Sequence, residues 1–214
     1  GARVEIQKIS SQESRNKVML AIMASGRGSN AEAIIQYSLT TSAAFKVALI
    51  VTNNPKSGVI EIAQQYGIEW CCVDLKDFQA AAEYEEYLLE TLRNYSISMI
   101  ALAGYLKLIP VRIIDAFPKK IFNIHPSLLP KYGGNGMYGM RVHKKVIENR
   151  EQKSGSSVHI VERDYDTGEI LCQKSIEVHD DDTPETLSER VLQVEYLIYA
   201  PTLNLQAEQL LQGI

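Results

Sequence analysis

Several features that would set this sequence apart from an ordinary packed protein are scarce or missing. It has three cysteines, one tryptophan and four histidines in 214 residues. Cys71, Cys72 and Cys172 are unpaired in pattern, which argues against a disulfide framework. Neighbours on a strand point to opposite faces, so Cys71 and Cys72 do not readily share a metal. No His/Cys pair stands at zinc-ligand spacing, and no metal is expected. No apolar run approaches the ~18 residues of a membrane span, and no signal-peptide pattern opens the chain. Net charge is −4 with both signs interspersed, so the basic stripe of a nucleic-acid binder is missing. Backbone donors can still hold an anionic small molecule, because they leave no trace in net charge. The expectation is a cytoplasmic protein with neither nucleic acid nor membrane as partner; oligomeric state is left open.

What is present suits a packed core, with 45% hydrophobic and 22% charged residues. Residues 1–16 read as a polar tail or an added extension. Beyond them, β-rich apolar runs at 17–23, 46–52, 69–73, 97–103 and 120–124 alternate with segments of helical period. Within 78–94, Phe78, Ala81, Glu85, Leu88, Leu89 and Leu92 fall on one helical face. This alternation predicts an α/β fold, a Rossmann-like, mostly parallel twisted sheet with helices on both faces. From about residue 154 the texture changes: 156–161 and 169–178 read as a hairpin-like strand pair. Thr183 as N-cap, Pro184 at N1 and Glu185 then open a long C-terminal helix. One domain is expected over 17–214, with a front half to about 118 and a rear half from about 119.

Four places carry candidate chemistry. Ser25-Gly26-Arg27-Gly28-Ser29-Asn30 follows the first strand and precedes a helix. Its glycines allow a sharp turn and close approach, and a helix start offers free N–H groups to an anion. A plain strand-to-helix turn with Ser29 or Asn30 as N-cap is the alternative. Dinucleotide binding is disfavoured, because Ala31 replaces a third glycine and Thr52-Asn53-Asn54 stands where a ribose-binding acid belongs. Asn123-Ile124-His125-Pro126-Ser127-Leu128-Leu129-Pro130 closes a strand. Asn123 and His125 are two apart and face the same way on extended backbone, which Pro126 favours at His125. A carboxamide can donate to a developing oxyanion, and an imidazole can move a proton near neutral pH. Asp164-Tyr165-Asp166-Thr167-Gly168 is either an ordinary turn or, if folding brings Asp166 to His125, a carboxylate that raises the imidazole pKa. Glu195 lies among Val191, Val194 and Ile198 on one helical face. It is either a solvated rim residue or a buried acid that needs a partner.

Together these residues resemble the phosphoribosylglycinamide formyltransferases, within the wider group of folate-dependent formyltransferases. The resemblance runs from about residue 17 to 211. Its centre, Asn-Ile-His-Pro-Ser-Leu-Leu-Pro, is shared with methionyl-tRNA formyltransferase and the formyltetrahydrofolate hydrolases; Ser-Gly-x-Gly-Ser-Asn near the start favours the ribonucleotide enzymes. The further domains of the other two, C-terminal and N-terminal respectively, are not expected here. The resemblance implies 10-formyltetrahydrofolate as co-substrate, glycinamide ribonucleotide as acceptor, and no metal. By position it implies Asn123, His125 and Asp166 as catalytic, and Gly28, Ser29 and Asn30 as phosphate-binding. Glu195 would hold the substrate amine, and Leu106, Lys107, Leu108, Ile109 and Asn123 would line the folate pocket. His159 would stand behind the reacting groups. The front half would then bind phosphate, and the rear half folate and the catalytic groups. Departures are a longer loop at 133–140, Leu192 in place of a glutamine and Ala81 near an expected arginine. A folate hydrolase and, in another class, a nicotinamide oxidoreductase or non-catalytic nucleotide-binding module are the rival readings.

Overall fold

The computed structural model describes residues 16–213; apart from Asn16, the segment read as a tail lies outside the described residues. The strands are β1 (Val18–Met23), β2 (Phe45–Thr52), β3 (Trp70–Cys72), β4 (Met99–Leu102), β5 (Ile121–His125), β6 (Lys153–Ile160) and β7 (Ile170–Glu177). They form one sheet in the order β3-β2-β1-β4-β5-β6-β7. The first five pair in parallel; β6 runs antiparallel to β5 and to β7. Each parallel connection is a crossover that places helix on the sheet. The helices are α1 (Ser29–Ser38), α2 (Val59–Gln65), α3 (Ala81–Asn94), α4 (Val111–Ala116), α5 (Met140–Glu148) and α6 (Pro184–Leu211).

The period-two alternation of β1 divides the core. Leu20 and Ile22 pack with α1, α2 and the C-terminal half of α6, through residues such as Ile34, Val59 and Leu203. Ala21 and Met23 point to the other face, under Leu88 and Leu92 of α3 and Ile113 of α4. All seven expected strands are present with ends shifted by up to three residues, and helices cover both faces.

The expected helix at 78–94 starts later. Phe78 lies outside it, after a short 3₁₀ turn (Leu75–Asp77), and Ala81 is exposed. The buried face is Tyr84, Leu88, Leu89 and Leu92. Phe78 and Ala80 are extended, and Phe78 still packs on the core, edge-on to Tyr84. Helix α6 begins as expected: the Thr183 side chain accepts from the Thr186 N–H, the Thr186 hydroxyl accepts from the Thr183 N–H, and Pro184 follows the cap.

Candidate active site

Strand order reverses between β1 and β4, and a cleft of about 520 Å³ opens at the carboxyl ends of these strands and β5. Open parallel sheets gather ligands at such a switch point, because the loops diverge to opposite faces there. A larger hollow of about 1060 Å³ lies at the opposite strand ends, but none of the described residues lining it is a histidine.

The first wall is the loop after β1. Gly28, not Ser29 or Asn30, is the N-cap of α1, at φ 81°, and no side chain caps the helix. The correction follows from packing: a Cβ on Gly28 would lie 3.0 Å from the Val59 Cα, so the close approach of α2 and the left-handed backbone both demand glycine. Uncapped first-turn N–H groups remain as anion donors. Ser25 ties this loop to the rest of the cleft, donating to Asn53 Oδ1 at 2.6 Å and accepting from the Leu106 N–H at 3.2 Å. The Asn30 side chain lines the cleft and donates to Glu195 Oε1 at 3.2 Å, while Ser29 lines a separate surface hollow with Arg27.

Glu195 is therefore not a solvated rim residue. It is 8% exposed on α6, and burial pushes its carboxyl up to about 7, only partly relieved by the Asn30 amide. Such an acid keeps a large share of its protons near neutral pH, and a cation or further donors would favour its charged form.

At the centre, Asn123, His125 and His159 converge on Asp166. The His125 Nδ1 and His159 Nε2 each lie 3.4 Å from Asp166 Oδ1, and the Asn123 amide donates to the same oxygen at 3.5 Å. The Gly134 N–H donates to Oδ2 at 3.0 Å. His125 reaches Asp166 from the last residue of β5, as its spacing from Asn123 predicts. The carboxylate arrives from the β6–β7 loop, where Asp166 adopts φ 57°, a region that Asp tolerates better than most residues. Gly168 pins that loop to β6, since a Cβ there would fall 1.7 Å from the Ile160 carbonyl oxygen. Asp166 is thus more than a turn residue. Burial opposes its charge, but hydrogen bonding to His159, the His125 imidazole and the Gly134 N–H outweigh burial and hold its carboxyl below the ordinary value.

The imidazole of His125 behaves differently from the sequence expectation. Burial lowers its pKa, and although Asp166 and the Tyr132 carbonyl push it upward, the net direction is down. The ring is 4% exposed, and desolvation of an imidazolium outweighs one carboxylate at 3.4 Å. Its Nε2 lies 2.7 Å from the Tyr132 carbonyl. Both ring nitrogens therefore face acceptors, an arrangement that fits the doubly protonated ring once charge is called for. His159 Nδ1 lies 2.9 Å from the Ile160 carbonyl and its Nε2 lies 3.1 Å from the Asn123 amide nitrogen. It supports the pair from behind.

A smaller hollow of about 40 Å³ adjoins the cleft and shares Tyr105, Asn123, Tyr165 and Asp166 with it. Lys107, Leu108 and Ile109 help line it. Leu106 and Leu108 are about half exposed at 52% and 49%, an apolar edge suited to a flat ring. Ile109 is 5% exposed and belongs chiefly to the core. Two residues of the site carried no sequence signal of their own: Tyr132, whose carbonyl meets His125, and His143 on α5, which lines the cleft. Among the described residues no group of acids, histidines and cysteines could hold a metal ion, and no helix is long and apolar enough to cross a membrane.

Comparison with known proteins agrees with this fold. The formyl transferase family model matches residues 18–203. A chloroplastic phosphoribosylglycinamide formyltransferase of Arabidopsis thaliana is 42% identical over 201 residues, covering 94% of this chain and 68% of that protein. The Bacillus subtilis phosphoribosylglycinamide formyltransferase is 37% identical over 179 residues, covering 84% of this chain and 89% of that one. The solved phosphoribosylglycinamide formyltransferase of Bacillus halodurans superposes with a TM-score of 0.82 at 33% identity, covering 90% of this chain and 96% of that one. The chain spans about two thirds of the length of this Arabidopsis relative and of a chloroplastic phosphoribosylglycinamide formyltransferase of Vigna unguiculata, 39% identical over 205 residues and covering 96% of this chain. With the match running from the first strand into the last helix, this chain belongs to the formyl transferase family.

Proposed function

We infer that this chain transfers the formyl group of 10-formyltetrahydrofolate to the primary amine of glycinamide ribonucleotide, a step of de novo purine synthesis. The observation that carries the reading is the convergence of Asn123, His125 and His159 on Asp166 inside a cleft that Gly26, Asn30 and Glu195 also line. The uncapped N–H groups from Gly28 to Asn30 would take the ribonucleotide phosphate, and Glu195 its amine end. Leu106, Lys107 and Leu108 would border the folate ring, with Ile109 supporting them from the core.

No enzyme nucleophile is needed. The deprotonated amine adds to the formyl carbon, and the carbonyl electrons move onto oxygen. Asn123 donates to that oxygen, exchanging its 3.5 Å contact with Asp166 for a stronger one. Negative charge developing beside His125 offsets the burial that keeps the ring neutral in the free protein. Asp166 and the Tyr132 carbonyl then stabilise the imidazolium. The C–N bond to the folate breaks as His125 passes a proton toward the departing nitrogen, with water completing the transfer from the amine. Holding two reactants together supplies a further large share of the rate. The free thiols of Cys71, Cys72 and Cys172 fit a reducing compartment, and the cytoplasm is the compartment proposed.

A spectrophotometric folate assay with and without glycinamide ribonucleotide tests the reading. Formyl release that requires the ribonucleotide is expected. Equal release without it would make the protein a hydrolase.

A further inference from the structure

The Tyr132 carbonyl that meets His125 Nε2 at 2.7 Å belongs to a residue with φ 56°, a left-handed backbone that a bulky side chain seldom adopts. Such a conformation persists only where its neighbours over-determine it, and it collects at functional sites. Two sets of contacts hold it here. The segment before Tyr132 is tied to the sheet. There the Ser157 hydroxyl of β6 donates to the Ser127 carbonyl at 2.7 Å and accepts from the Leu129 N–H at 3.1 Å, and the Gln173 amide of β7 donates to the Leu129 carbonyl at 3.0 Å. The far end of the Tyr132 side chain is tied to the segment after α5. Its hydroxyl donates to Glu151 Oε1 at 2.9 Å and accepts from the Asn149 amide at 2.9 Å. Both partners stand on fixed backbone: the Asn149 N–H donates to the Lys145 carbonyl at 2.9 Å and the Glu151 N–H to the Val146 carbonyl at 3.1 Å. Between its two ends the ring packs on Val142 and Val146 of α5 and Leu187 and Val191 of α6.

We propose that the Tyr132 hydroxyl, Glu151 and Asn149 are positioning residues for the reaction: they clamp Tyr132 in its left-handed backbone and so keep its carbonyl on His125 Nε2. This rests on the reading of His125 as the group that passes the proton. None of the three lines the cleft or the adjoining hollow, so they act through the imidazole and not on a substrate. Without the hydroxyl anchor the backbone of Tyr132 is free to leave the left-handed region, and its carbonyl swings off Nε2. The carbonyl is one of the influences that raise the His125 pKa, so its departure moves that pKa further down. The other titratable groups that act on His125 or feel its charge are Asp166 in the β6–β7 loop, His159 on β6 and His143 on α5, and the clamp includes none of them.

Three variants test the proposal. Tyr132→Phe keeps the packed ring and removes only the hydroxyl. Glu151→Ala removes the acceptor, and Glu151→Gln keeps an acceptor oxygen without the charge that also faces Lys131 at 3.5 Å. The readouts are NMR titration of His125 in the free proteins and steady-state kinetics per folded molecule with each substrate varied. Tyr132→Phe and Glu151→Ala should lower the His125 pKa and reduce kcat roughly 10- to 100-fold, the scale of a small misplacement of a reacting group. Both KM values should stay unchanged, and Glu151→Gln should restore most of what Glu151→Ala loses. A His125 pKa that stays or rises in Tyr132→Phe, or an undiminished kcat, would overturn the clamp. Glu151→Gln as impaired as Glu151→Ala would overturn it too, by assigning the effect to the charge of Glu151. Rises in KM matching the loss of kcat would show a general disturbance of the cleft and refute a positioning role. The titration needs no substrate, so it decides the clamp separately from the functional reading, which falls if turnover of the parent ignores the ribonucleotide.

Discussion

Replacing Glu195 by glutamine removes a charge from a place where the fold pays heavily for one. The carboxyl is 8% exposed, lies among Val191, Val194 and Ile198, and among the described residues has only the Asn30 amide as partner. Its pKa rises from the ordinary 4.5 to about 7. In the unfolded chain the group ionises near 4.5, whereas the folded protein keeps its proton until about 7. Between these values the folded state binds more protons, so this group makes stability fall as pH rises. The penalty is complete above pH 7. At ~1.4 kcal/mol for each tenfold in proton affinity, it reaches about 3 kcal/mol at high pH and about 1 kcal/mol or less near pH 5. Glutamine is neutral throughout, still accepts from Asn30, and can donate to the Asn30 Oδ1, which has no partner among the described residues. Urea unfolding of both proteins at pH 5, 7 and 8.5 provides the measurement. Titrations common to the two chains cancel in the difference. Glu195→Gln should be the more stable protein, with an advantage that grows to about 3 kcal/mol at pH 8.5. A constant difference across pH, or a less stable variant at pH 8.5, would refute the argument. Under the role proposed for Glu195 as partner of the substrate amine, the same variant should also bind the ribonucleotide less well.

Asn123→Ala should lower kcat by roughly 10²–10³, the usual loss for one oxyanion donor; normal kcat per folded molecule would make Asn123 merely structural. Asp166→Asn removes the main influence that raises the His125 pKa, so NMR titration should find that pKa lower still, with kcat down by roughly 10²–10⁴. An unshifted His125 in that variant would show that the 3.4 Å pair is not coupled. Gly28→Ala should destabilise the fold by roughly 1–3 kcal/mol, from a left-handed φ and the Val59 contact together. It should also raise the ribonucleotide KM more than the folate KM; a protein as stable as the parent would contradict the packing argument.

The local elements were legible because their causes are local. Apolar runs bounded by turns mark all seven strands, and Thr183-Pro184-Glu185 marks the start of α6, since caps and proline act within one turn. The Asn123 and His125 pair was legible for the same reason: a strand puts residues two apart on one face. The start of α3 was not legible, because the extended residues before it also turn an apolar side chain, Phe78, onto the core.

The site's electrostatics were not legible. Asp166 stands 41 residues beyond His125 by number, and only the antiparallel return of β6 and β7 brings its carboxylate to the imidazole. The sequence motif suggested that this carboxylate would raise the His125 pKa; burial, a property of the whole packed molecule, reversed the net direction. Asn30 and Glu195 are 165 residues apart and meet only because α1 and α6 cover the same face of the sheet. The hydrogen bond from the Tyr132 hydroxyl to Glu151, 19 residues on, likewise exists only once α5 has folded between them. Residue types and their spacing determined which elements form and which groups were available for chemistry. Desolvation and long-range contact, which depend on every neighbour at once, decided what charge those groups carry and what they can reach.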